Sequence, residues 1–118
     1  MRVRHIESDI QKSCVEWFRL QYPKLAKLLF AVPNGGARGR IEAAILKGEG
    51  VTAGVSDLIL LYPTPKHHAL CIEMKTPTGR HQASQKQWQK TVEAVGYKYV
   101  VCRSLEDFMN VIWGYFRE

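Results

Sequence analysis

No stretch of the chain approaches 18 uncharged apolar residues, so the sequence offers no membrane-spanning helix. The opening residues, MRVRHIESDI, lack the apolar core of a secretory signal, and a cytoplasmic protein is expected. Cysteine is scarce. Cys14, Cys71 and Cys102 cannot close into a disulfide set, and none has CxxC or CxxH spacing. Each lies in an apolar run, so buried structural thiols are expected rather than a zinc or redox centre. No Gly-Lys-Ser/Thr follows a glycine-rich loop, which excludes a nucleotide P-loop. Repeats, low-complexity tracts and Pro- or Gly-rich linkers are also missing, so residues 1–118 read as one domain. Acidic residues are the minority, 11 against 17 Lys and Arg, for a net charge of +6. That surplus favours an anionic partner without identifying it.

What is present is an ordinary globular composition. Apolar residues make up 46%, enough for a core without staples, and 24% charged with 10% aromatic excludes disorder. Ile6, Ile10, Cys14, Trp17, Phe18 and Gln21 recur at helical spacing, predicting a helix from Glu7 to Tyr22 that Pro23 stops. Leu28–Val32 reads as a strand leading into the loop Pro33-Asn34-Gly35-Gly36, and Ile41, Ala44 and Ile45 as a short helix closed near Gly48. Asp57–Tyr62 and Ala69–Lys75 flank a proline-bearing turn and are predicted to pair as an antiparallel hairpin. Gln85, Trp88, Val92 and Val95 mark a helix ended by Gly96, and Tyr97–Cys102 a fourth strand. Ser104 is the expected N-cap of a last helix with Leu105, Phe108, Met109, Ile112, Trp113 and Phe116 as its apolar stripe, read as core with room for a dimer contact. The order is αβαββαβα. A helix between the third and fourth strands permits a parallel crossover, so an α/β fold with a mixed four-stranded sheet flanked by helices is expected.

One constellation carries chemistry. Residues two apart in a strand share a face, so Glu73 and Lys75 project together from an apolar strand, Leu70-Cys71-Ile72 preceding them. A carboxylate entering a buried strand needs a partner or a cation. Asp57, opening the neighbouring strand, comes close to Glu73 if the hairpin pairs with a modest offset. Two carboxylates and an ammonium on one sheet edge suit a hard divalent cation with an anion beside it. The plainer reading is an ion pair between Glu73 and Lys75 with Asp57 as a cap. An acid-x-Lys triplet arises about 0.8 times by chance in a chain of this composition. Its place on an apolar strand, one hairpin after Gly54-Val55-Ser56-Asp57, favours the site.

Gly54-Val55-Ser56-Asp57 followed by Glu73-Met74-Lys75 resembles the active-site signature of PD-(D/E)xK nucleases. The residues around it are similar to the VRR-NUC group: Glu7 with Gln11, Pro33-Asn34-Gly35 with Arg38, Gly50 with Gly54, and Gln85 with Trp88. Ser56 departs from the Pro of the superfamily name, at a position that is not a ligand. The resemblance runs from Glu7 to about Val101, and the chain length is similar to that of free-standing phage and bacterial members. It implies a restriction-endonuclease-like fold and hydrolysis of DNA phosphodiesters. Asp57 and Glu73, helped by the Met74 carbonyl, would bind Mg²⁺ or Mn²⁺. Lys75 would orient the attacking water or stabilise charge on the phosphate, and Glu7 would complete the acidic cluster. Gln11, Asn34, Arg38, Arg40 and Gln85 would contact DNA or support the site.

For the remaining candidates both readings stay open at this point. The segment Asn34–Arg40 is glycine-rich and basic, suited to phosphate contact or to a plain surface turn. His67 and His68 read as a turn rather than a metal site, having no third ligand at suitable spacing, and His81 is undecided. The expected activity is a Mg²⁺-dependent, structure-selective DNA endonuclease. A homodimer similar to Holliday-junction resolvases would place two symmetric sites on a branched substrate. The alternatives are a catalytically silent nuclease-fold module that only binds DNA, a nuclease acting on RNA or tRNA, or a restriction-type enzyme.

Overall fold

The computed structural model of the protein describes residues 6–33 and 39–118. Helix α1 (Ile6–Gln21) carries Glu7 and Asp9 in its first turn and Arg19 in its last, signs that suit the helix dipole. Its buried residues, Cys14 and Phe18, are one turn apart and form the inward stripe. Tyr22, preceding Pro23, leaves helical conformation, and the chain tightens into a 3₁₀ segment over Pro23–Leu28.

The sheet follows from four short runs: β1 (Leu29–Ala31), β2 (Leu58–Leu60), β3 (Leu70–Met74) and β4 (Lys98–Cys102). Their spatial order is β1-β2-β3-β4. β1 and β2 pair antiparallel, β2 and β3 form the expected antiparallel hairpin, and β3 and β4 run parallel. The first two strands are shorter than the apolar runs that announced them. Leu28 closes the 3₁₀ segment instead of opening β1, although its carbonyl still accepts from Leu61 N, and Val32 N donates to Asp57 O at the other end. The predicted runs therefore span the bonded ladder while only three residues of each keep strand geometry.

Helix α2 (Arg40–Gly48) follows β1, α3 (Ala83–Ala94) makes the crossover from β3 to β4, and α4 (Leu105–Phe116) closes the fold. Ser104 caps α4, its hydroxyl accepting from Asp107 N at 3.0 Å.

The two faces of the sheet bury different partners. Leu58, Leu60, Leu70, Ile72, Met74 and Cys102 pack against α1 and α4 through Cys14, Phe18, Phe108, Ile112 and Tyr115. The opposite face carries Cys71 and Tyr99 under Val92 and Trp88 of α3. β3 is buried on both faces. The three cysteines are free and buried, and burial pushes the thiols of Cys14 and Cys102 up to about 12, as structural thiols should behave. The stripe of α4 divides: Phe108 and Ile112 are core, while Trp113 stays 40% exposed. α2 buries none of its residues, with Ile41 77% and Ile45 55% exposed.

Candidate active site

Register brings the carboxylates together. Leu58 pairs with Ile72, so one step further Asp57 stands across from Glu73 on the α3 face. Asp57 Oδ2 accepts from Met74 N at 2.7 Å, which fixes its carboxylate against β3. Glu73 is 2% exposed, and both its oxygens are engaged: Tyr99 Oη donates to Oε1 and Gln85 Nε2 donates to Oε2, each at 3.2 Å. Gln85 does double duty, because its Oε1 accepts from Gln82 N at 2.8 Å in the first turn of α3. The helix start thereby aims the amide nitrogen at Glu73.

The electrostatics record strain. Burial raises the Glu73 carboxyl far above the carboxylate range, and the hydrogen bond and charge of Asp57 raise it further; Tyr99 and Lys75 act the other way. Glu7 is raised as well, first by burial and then by Asp57, with Lys75 opposing. Three acids thus feel one another, with a single buried ammonium, Lys75 at 8% exposure, compensating. A cation placed among them would relieve the repulsion.

The strand ends are held by contacts that the sequence did not announce. Gly54 has φ +83° and lies so close to the Ser84 carbonyl that any Cβ would collide with it. Ser56 is fully buried, and its hydroxyl accepts from Trp88 Nε1 at 2.9 Å. These contacts pin the chain before Asp57 to α3. Beyond Glu73, Lys75 N donates to Cys102 O, and Arg103 Nη1 donates to the carbonyls of Thr76 at 2.8 Å and Gly79 at 2.7 Å, holding the turn after Lys75.

Above this floor lies a cleft of about 980 Å³ whose walls include Glu7, Pro33, Asp57, Glu73 and Gln85, with Leu46 and Lys47 of α2 on one side. The structure therefore gathers Glu7, Asp57, Glu73 and Gln85 at the cleft, with Lys75 buried within electrostatic reach of Glu7 and Glu73. Gln11 is not gathered; it lines a separate shallow groove along α1 with Ser8, Lys12 and Val15, because the helix carries it away from the sheet edge. Met74 offers its backbone to the site while its side chain is buried in the opposite core. Arg40 is exposed at the start of α2, and Asn34 and Arg38 lie outside the described residues. His67 and His68 serve the fold, His67 Nδ1 bonding Glu118 at 2.7 Å and His68 packing on Gly96 and Tyr97. Tyr99, Ser56 and Arg103 were missed as site residues. For Tyr99 the signal existed only in the parallel register, Cys71 beside Tyr99, which puts it on the face of Glu73.

Among the described residues, no three His, Cys, Asp or Glu side chains converge tightly enough to cage a metal alone. Two carboxylates with room beside them match Mg²⁺, which keeps several waters and is completed by substrate phosphate oxygens. The donors present fit that ion.

The chain matches the family model of the VRR-NUC domain over residues 2–106. It is similar to a solved structure named VRR_NUC domain protein, with a TM-score of 0.83 and 27% identity, over 98% of this chain and 92% of that one. No curated protein matches it.

Proposed function

The chain belongs to the VRR-NUC family of nuclease-type, DNA-processing domains, and from that membership we propose that it is a Mg²⁺-dependent endonuclease acting on branched DNA as a homodimer. The observation that carries the reading is Asp57 facing Glu73, with Lys75 following on the same strand edge, beneath an open cleft. Asp57 and Glu73 would hold the cation, with the Met74 carbonyl as a third oxygen donor. The ion, when bound, supplies Lewis-acid activation of water and of the phosphodiester. The protein does the rest. Tyr99 and Gln85 fix the Glu73 carboxylate, and the Met74 N–H fixes that of Asp57. Lys75, shielded from solvent, is held beside the place where charge grows on the phosphate, where an ammonium is worth far more than in water. Glu7, raised by burial, is poised to take a proton from water entering the cleft.

The net charge of +6 supports binding to a polyanion, and Arg40, exposed at the start of α2, is free to meet a phosphate. Three free, buried thiols suit a reducing cytoplasm. No helix among the described residues is long and apolar enough to cross a membrane. A silent DNA-binding module would have no need of a buried Glu73 held against a fixed Asp57. The deciding experiment is incubation with labelled linear, flap and four-way-junction DNA, with Mg²⁺ and with EDTA. The proposal expects cleavage only with Mg²⁺ and fastest on branched DNA; binding of all three without any cleavage in Mg²⁺ or Mn²⁺ overturns it.

A further inference from the structure

Behind Glu73 the structure holds a side-chain chain that the nuclease signature does not include. Tyr99 is buried under α3, and its hydroxyl lies 3.2 Å from Glu73 Oε1 and 2.9 Å from His81 Nε2. The rings of His81 and Tyr99 lie 5.6 Å apart, tilted by 33°. A hydroxyl has one proton to give. When Tyr99 donates it to an ionised Glu73, its oxygen can only accept from the other neighbour, so His81 Nε2 must carry a proton.

We propose that His81 and Tyr99 are a positioning pair: His81 sets the direction of the Tyr99 hydroxyl, and Tyr99 holds the Glu73 carboxylate in the orientation that receives a divalent cation. With Gln85 on Oε2, Tyr99 leaves Glu73 little rotational freedom, so the lone pairs not used by these donors point into the cleft. Partners behind a metal ligand act on affinity through ligand orientation, and removing one commonly costs 10- to 100-fold. The inference rests on the reading of the cleft as a metal site, and its test separates the two.

The measurement is Mn²⁺ binding to the metal-free protein by titration calorimetry, with melting temperature recorded on the same samples. Tyr99→Phe keeps the ring and removes the hydroxyl; its Mn²⁺ affinity should fall roughly 10- to 100-fold while the protein stays folded, at a melting temperature lowered by the lost hydrogen bond to Glu73, and DNA binding in EDTA stays near wild type. His81→Leu should weaken Mn²⁺ by about 3- to 10-fold, and His81→Gln, whose Nε2 can donate in place of the imidazole, should recover most of it. Wild-type affinity in Tyr99→Phe, alongside its loss in Asp57→Asn, overturns the pair and leaves the cleft reading standing. A wild-type protein that takes up no Mn²⁺ overturns both. If Tyr99→Phe does not fold, the His81 variants decide: equal affinities in His81→Leu and His81→Gln overturn the proposal.

Discussion

Single residues in this protein act through what they face. Glu73 would be a poor occupant of a buried strand on its own; Tyr99, Gln85 and Lys75 make it tolerable, and Asp57 opposite makes it a site. Lys75→Ala should therefore reduce single-turnover cleavage about 100-fold or more, the scale of losing one preorganised electrostatic group, with DNA binding largely kept. Glu118 shows the opposite electrostatics. Its Oε1 bonds Thr64 and His67 and its Oε2 meets Lys98 Nζ at 2.8 Å, tying the hairpin turn and β4 to the end of α4. Although burial acts against it, those partners depress its carboxyl to about 2. A depressed acid stabilises the fold fully above its unfolded value and loses that contribution as pH falls from about 4.5 toward about 2. Glu118→Gln should cost about 1–2 kcal/mol at pH 7 and flatten the acid limb of the stability curve, read by urea melts at pH 3 and pH 7.

At the scale of elements, the site is a product of register. The hairpin was legible because two apolar runs flank a proline-bearing turn, and its register then set Asp57 against Glu73. The ends of α1 were legible from Pro23 and those of α4 from Ser104. The 3₁₀ segment Pro23–Leu28 was not, since Leu28 read as the first residue of the strand. Nor was Tyr99: a parallel strand reached through a helix carries no turn to fix its register, so which β4 residue meets Glu73 was invisible until the crossover was seen. Gln11 lines the groove along α1 rather than the cleft, since one helical turn keeps a face but moves about 6 Å along the axis from Glu7. The loop before Asp57 depends on Gly54, so Gly54→Ala should strain φ and push α3 away from the strand. A loss of about 1–3 kcal/mol of unfolding free energy, read by urea melts, is expected together with reduced cleavage, because Asp57 and Gln85 move apart.

The whole molecule joins a basic exterior to an acidic cleft floor. DNA binding in the absence of metal should weaken with salt; four to six phosphate contacts give a log–log slope of about −4 to −5, and Arg40→Ala should flatten it by about one unit. Filtration-based binding isotherms between low and moderate salt read this directly. A cation held as proposed would offset the mutual repulsion of Glu7, Asp57 and Glu73, so Mg²⁺ in excess should raise the melting temperature of the wild type and leave Asp57→Asn unmoved. The central claim is that this acid pair is catalytic rather than structural. Its most direct measurement is single-turnover cleavage by Glu73→Ala with Mg²⁺, alongside circular dichroism melting and DNA binding on the same preparation. The account predicts a folded protein that binds DNA and cuts at least about 100-fold slower than wild type. A folded, DNA-binding Glu73→Ala that cuts at the wild-type rate would contradict it.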